Sequence, residues 1–218
     1  MYQPSHFVET RSAVLHELIR TRPLATLVRL DAAGELQADA VPLLLEAGAS
    51  PHGTLRGHVA RANPLWRDTR FDAPVLALFQ GPQAYVSPSW YPTKAETGKV
   101  VPTWNYIVVQ ARGTLRAIDD AAWLRDFVGR LTARFETGRA APWSIDDAPS
   151  DYTQAMLRAI VGIEIELTSL VGKWKLSQNR TPAEREGVVA GLRGDAARSG
   201  DAQAAALADA VAGWRAPD

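Results

Sequence analysis

The chain has 218 residues, with 24 Lys+Arg against 24 Asp+Glu, so it carries no positive excess of the kind that draws nucleic acid non-specifically. It has no cysteine, which removes disulfides, thiolate nucleophiles and cysteine metal sites together. No run approaches the ~18 apolar residues of a membrane span, and the opening MYQPSHFVETRSAV lacks a basic segment followed by an apolar one. The expectation is therefore a soluble, cytoplasmic protein without a signal peptide.

In ETRSAVLHELIR, residues 9–20, Val14, Leu15, Leu18 and Ile19 recur at helical spacing; Thr10 or Ser12 can cap the start and Pro23 ends the helix. LATLVRL (24–30) and LQADAVPLLLE (36–46) flank a Gly-containing turn and read as a hairpin. Pro42 marks an edge or a bulge, because it has no ladder donor. Residues 48–53 turn the chain into a third strand, TLRGHVA (54–60). Asn63-Pro64 predicts a short helix over 65–69, with asparagine capping and proline in the first position.

PVLALFQ (74–80) reads as a buried strand, and Gly81-Pro82 as the turn after it. Residues 92–99 read as loop. A strand is expected over 101–110, running on through Gly113 to Ile118, with Gly113 at a bulge or bend. Asp119 is the expected cap of a helix through Phe135, and Ser150 or Asp151 opens another. IEIEL (163–167) alternates strictly, as a half-exposed strand does. Thr181-Pro182-Ala183-Glu184 is a capping box that starts a helix to about Arg193, and an alanine-rich helix over 202–211 follows. About six strands before Arg116 and one more at Ile163 predict a mainly β protein, a small barrel rather than a parallel sheet. Residues 1–180 are expected to form this domain, with 181–218 a helical extension packed on it.

Several chemistries find no signature. Neither glycine-rich nucleotide loop is present. His6, His16, His52 and His58 lack metal-ligand spacing, and Ser87 is not in a nucleophile elbow. No acid or base is identifiable as catalytic. Three constellations remain. In His58–Pro64, an arginine and an asparagine sit at a strand end before a helix start, where free N–H groups favour an anion. The stretch 85–109 holds Tyr85, Trp90, Tyr91, Trp104 and Tyr106 among Ser, Thr, Asn and Lys residues; strand alternation puts Trp104 and Tyr106 on one face and Thr103 and Asn105 on the other. Gly172–Arg180 sets two lysines around Trp174, ahead of a polar run. An ordinary turn, core packing and a solvated loop are the plain alternatives. Together the three supply a phosphate handle, stacking rings and amide partners for the edge of a planar cofactor.

MYQPSHF, AVPLLL (40–45), GHVARANP (57–64), YVSPSWY (85–91), VPTWNY (101–106) and GKWKLSQNR (172–180) follow one another along nearly the whole chain. In them the chain resembles the PaiB-like family of FMN-binding transcriptional regulators and, more distantly, is similar to flavin split-barrel proteins such as pyridoxamine-phosphate oxidases and flavin reductases. The resemblance implies a six-stranded Greek-key split β-barrel with flanking helices, a homodimer, and FMN in a groove between subunits. It implies Arg61 at the phosphate with Ala62 and Asn63 beside it, and the strand carrying Val41 along the flavin. Trp104, Asn105 and Tyr106 would close the site together with Lys173, Lys175, Ser177 and Gln178.

The family's function implies a regulator. An FMN-dependent oxidoreductase is the alternative, and a haem-binding split barrel, with one of the four histidines as axial ligand, a further one. From Thr181 onward, Glu184, Glu186, Asp195, Asp201, Asp209 and Asp218 face Arg185, Arg193, Arg198 and Arg215. That balance makes a poor DNA-binding face, so DNA contact is expected to be indirect or flavin-linked.

Overall fold

The computed structural model describes residues 1–48 and 50–215. Ala49, in the expected turn at 48–53, and Asp218, in the acid tally, lie outside the described residues. Among those described, eight strands occur: β1 (Val8–Glu9), β2 (Leu24–Leu30), β3 (Leu36–Pro42), β4 (Leu44–Glu46), β5 (Thr54–Ala60), β6 (Val75–Val86), β7 (Thr103–Ile118) and β8 (Ile160–Lys175). The helices are α1 (Ser12–Thr21), α2 (Leu65–Asp68), α3 (Thr93–Thr97), α4 (Ala121–Glu136), α5 (Ser150–Arg158), α6 (Pro182–Ser199) and α7 (Ala202–Gly213).

The hydrogen-bonded order is β3-β2-β6-β7-β8-β5-β4, with β1 added to β8. The class is a mainly antiparallel sheet with flanking helices, with eight strands rather than six, and the ladder does not close into a barrel. Two short strands raise the count. β1 is a two-residue pairing of Val8 and Glu9 with Lys173 and Gly172. β4 arises because the run 36–46 is split at Leu43. Up to Pro42 it pairs with β2, from Leu36↔Leu30 to Pro42↔Leu24. Beyond Leu43 it pairs with β5, from Leu44↔Arg56 to Glu46↔Thr54. The two ends of the order are thus successive pieces of one segment, and Pro42, which cannot donate to a ladder, stands at the switch.

The chain divides into two compact units. Met1–Leu18, Gln80–Val109 and the described residues from Val171 onward make the first; Ile19–Phe79 and Gln110–Leu170 make the second. The divisions fall inside α1, β6, β7 and β8.

In the second unit, the β2–β3 hairpin turns at 31–34 because Asp31 Oδ1 accepts from the N–H groups of Ala33 and Glu35, while Gly34 takes the left-handed φ of +86°. Ala25, Leu27, Val41, Leu55, Val59, Ile163 and Ile165 fill its core with Leu124 and Phe127 of α4. Gly113 and Gly162 serve close approach. A Cβ at Gly113 would lie 2.2 Å from the Glu166 carbonyl oxygen, and one at Gly162 would lie 2.3 Å from the Trp123 ring.

Three local expectations change here. Asp120, not Asp119, caps α4, its carboxylate accepting from the Trp123 N–H at 2.7 Å. IEIEL keeps Glu166 exposed, but Glu164 is buried because Arg56 and Arg116 pair with it. Asn63 Oδ1 does accept from the Leu65 N–H at 2.9 Å, but α2 spans only one turn, so little dipole gathers at its start.

In the first unit, Gly81-Pro82 does not turn the chain, and β6 continues through it. A Cβ at Gly81 would sit 2.8 Å from Ile107 Cβ, so this glycine lets β7 pack close. Gly172–Lys175 is strand rather than loop, with Trp174 buried. The capping box is present: Thr181 Oγ1 accepts from the Glu184 N–H, and a Glu184 oxygen accepts from the Thr181 N–H. The two helices it leads into run longer than expected, to Ser199 and Gly213. α6 lies on Trp90 through a glycine pair one turn apart. A Cβ at Gly187 would meet the Trp90 carbonyl oxygen at 2.1 Å, and one at Gly191 would meet the indole at 2.1 Å.

Candidate functional site

The predicted residues fall into two sets, one in each unit. The second unit holds Val41, Arg61, Ala62 and Asn63. Val41 points into the core of β3, so only its backbone and the exposed Ala40 and Pro42 beside it face outward. Arg61, just past β5, is heavily engaged: Nη1 and Nη2 donate to the two Asp119 oxygens, Nε donates to the Arg158 carbonyl at 2.7 Å, and Nη2 also to the Ile160 carbonyl. The hydrogen bonds that Arg61 donates to Asp119 raise the guanidinium pKa and lower that of the carboxyl. Both side chains are exposed; such a pair contributes little and opens readily. Asn63 Nδ2 donates to Asp39 Oδ1 at 3.0 Å, and Ala62 is exposed.

Three residues of this set, Arg29, Asp39 and Asp119, do not stand out as site residues in the sequence. Arg29 on β2 is only 4% exposed, and its Nε and Nη1 have no hydrogen-bond acceptor. Its salt-bridge partner is Asp39, 3.6 Å from Nε, the carboxylate that holds Asn63. The signal was available: in LATLVRL, period-2 alternation puts Arg29 on the same face as Ala25 and Leu27, and a charged residue on an apolar parity asks for a partner. Asp119, read as a cap, is the Arg61 partner instead.

The first unit holds the other set. Trp104 and Tyr106 share one face of β7 and Asn105 the other, as alternation required. Trp104 is 53% exposed and meets Tyr85 edge-to-face at 6.2 Å. Tyr106 lies under both lysines, with Lys173 Nζ 5.3 Å and Lys175 Nζ 5.8 Å from its ring centre. Lys173 donates to the Tyr2 carbonyl at 3.0 Å; Lys175 donates to Thr103 Oγ1 at 2.6 Å and to the Trp104 carbonyl at 2.7 Å. Burial lowers the Lys175 pKa; Tyr106 opposes that shift and Lys173 adds to it.

Asn105 is buried, donates Nδ2 to Ser177 Oγ at 2.9 Å, and keeps Oδ1 without a donor. Ser177 takes a left-handed φ of +62°, a conformation that non-glycine residues hold only where their surroundings enforce it. Gln178 spends its amide on the Leu176 N–H and the Trp174 carbonyl, bracing the turn that carries Ser177. Trp90, packed under α6, and Tyr91, buried with Arg180 4.8 Å from its ring centre, belong to the scaffold.

The donor chemistry suits a flavin mononucleotide. Buried guanidinium N–H groups without acceptors in the second unit match an anionic end. A buried amide oxygen without a donor, two ammonium groups and an aromatic face in the first match the polar rim of a planar ring.

Fold and donors together define the class: a mainly antiparallel β protein equipped for an anionic, planar cofactor. The chain belongs to the family described as "Putative FMN-binding domain", whose profile matches residues 1–169, and FMN is the cofactor of that family. It is 29% identical over 195 residues to protease synthase and sporulation protein PAI 2 of Bacillus subtilis, covering 89% of this chain and 90% of that one. It is 34% identical over 236 residues to an uncharacterised protein of Aspergillus fumigatus, covering 88% and 90%. Among solved structures, the FAD and heme binding protein from Mycobacterium smegmatis shares the fold, with a TM-score of 0.57 at 19% identity over 82% of this chain and 78% of that chain.

Proposed function

We propose that the protein is an FMN-binding regulator of the PaiB type and works as a homodimer, with the flavin in a groove to which both protomers contribute. The family match over residues 1–169 carries this reading. One protomer offers Arg61 and Asn63, backed by Arg29, to the phosphate; its partner offers the Lys173, Lys175 and Tyr106 face and the Asn105 amide to the ring.

An incoming phosphate meets Arg61 already forked onto Asp119. Carboxylate and phosphate use the same bidentate geometry, and the exposed pair gives way to a more highly charged anion. When bound, FMN supplies reversible redox chemistry; the chain's own residues orient it and set the charge around it. Lys173 and Lys175 place positive charge beside the aromatic face. Burial makes that charge harder to hold at Lys175, and an anionic neighbour would restore it.

A split-barrel topology and a regulatory role reached through the flavin, rather than through a DNA-binding helix face, complete the proposal. The helices beyond residue 180 fit it, since Asp195 pairs with Arg198 and Asp209 with Arg193, leaving no uniform basic stripe for phosphate backbone among the described residues. The test is equilibrium binding of FMN and of riboflavin to the wild type and to Arg61→Ala. The proposal expects wild type to prefer FMN and Arg61→Ala to lose most of that preference. An unchanged ratio would remove Arg61 from the phosphate.

A further inference from the structure

The family match ends at residue 169, and α6 and α7 lie beyond it. Between these helices opens a cleft of about 650 Å³, within the ~300–1,000 Å³ range of small-molecule sites. Its wall is formed by Arg185, Arg193 and Arg215 together with the Trp214 ring and the apolar side chains of Val189 and Val211; Glu186 is the carboxylate lining it.

The sum of charges along these helices conceals this segregation, because, with Glu186 left lining the cleft, Glu184, Asp195 and Asp209 are engaged in other contacts. Glu184 is buried in the capping box, Asp195 holds Arg198, and Asp209 holds Arg193 at the rim of the cleft. Arg185 and Arg215 are fixed differently. Arg185 lies 5.7 Å from the Trp214 ring centre, donates Nη2 to the Val211 carbonyl at 2.9 Å, and keeps a buried Nε without an acceptor. Arg215 donates Nη1 to the carbonyls of Ala212 and Trp214. Neither forms an ion pair with a carboxylate among the described residues. Backbone carbonyls hold the two guanidinium groups in place without cancelling their charge. Placed beside a ring and an aliphatic wall, they make a surface complementary to a molecule with one anionic end and one apolar end.

We infer that this cleft binds a small amphipathic anion, an aryl or acyl carboxylate. Its charged end meets Arg185 and Arg215, and its apolar body lies against Trp214, Val189 and Val211. The site is separate from the residues assigned to the flavin and gives the helical segment a ligand of its own.

Calorimetric titration of the full-length protein with 2-naphthoate, beside its uncharged analogue 2-naphthalenemethanol, tests this. The carboxylate is expected to bind at least about tenfold more tightly, the step that one charge-assisted contact supplies. Combining Arg185→Met with Arg215→Met should abolish that preference while FMN binding stays at the wild-type level. Arg198→Met, whose guanidinium is held by Asp195, should keep it. No binding of the carboxylate, equal affinity for the two compounds in the wild type, or a preference that survives in the double variant would each overturn the inference. The wild-type comparison decides even if the double variant fails to fold.

Discussion

Arg61 and Asp119 show how one residue changes an account built on motif alone. The motif GHVARANP supplies an arginine at a strand end, but its guanidinium meets a carboxylate contributed from 58 residues further along. If phosphate takes the place of that carboxylate, Asp119→Asn should raise FMN affinity, whereas Arg61→Ala should lower it; titration of flavin fluorescence measures both. A fall in affinity for Asp119→Asn would mean that Asp119 positions Arg61 rather than competing for it.

Lys175 gives a second residue-scale prediction, with a definite sign. Burial lowers its pKa, so the folded protein binds this proton less tightly than an unfolded chain with a lysine near ~10.4. Below the folded value the buried charge costs stability, and that cost is relieved as pH rises through it. Anion binding runs the other way, because it needs the charge. FMN affinity should therefore fall as pH rises through the Lys175 pKa, and Lys175→Met should flatten that dependence. An identical pH profile in the variant would take Lys175 away from the ligand.

At the scale of elements, the packing of α6 over Trp90 depends on having no side chain at two positions. Gly187 and Gly191 face Trp90 one turn apart, so Gly191→Ala must push α6 off the indole. Overpacking of this kind costs about 1–3 kcal/mol, readable as a lower midpoint in urea unfolding.

Across β4, β5, β7, β8 and α4 runs a charge chain: Arg116–Glu164–Arg56–Glu46–Arg130–Asp126. Burial raises the Glu164 pKa, but hydrogen bonds from Arg56 and Arg116 outweigh it and leave the value below the ordinary one. Stability from this group is complete above the unfolded glutamate value, ~4.3, and is lost as pH falls through the lower folded value. Glu164→Gln should lower stability at neutral pH and flatten its acid limb; an unaltered acid limb would contradict the assignment.

Elements were legible where local chemistry decides them. The β2–β3 hairpin, β5 and the Thr181 capping box follow from alternation, a Gly-containing turn and a side-chain cap, all within a few residues. Elements set by distant partners were not. Gly81-Pro82 reads as a turn by composition, but close packing against Ile107 keeps it in a strand. IEIEL reads as half-exposed because alternation cannot show that two arginines from other strands will neutralise Glu164 and allow its burial. The site was legible in the same measure. Lys173, Lys175, Tyr106 and Asn105 do gather, since β7 and β8 are neighbours in the sheet. Arg29, Asp39 and Asp119 emerge only from contacts across the chain.

At the scale of the whole molecule, family membership establishes an FMN-binding domain, and the proposal assigns its chemistry to the two sets of donors. Homodimerisation belongs to the proposal and is checked by sedimentation, which should give twice the 23.7 kDa chain mass. The most direct measurement is the visible absorption spectrum of the protein after incubation with FMN and gel filtration. The account predicts that the two visible bands of oxidised flavin travel with the protein and are lost or much weakened in Arg61→Ala. A wild-type protein that emerges colourless would contradict its central claim.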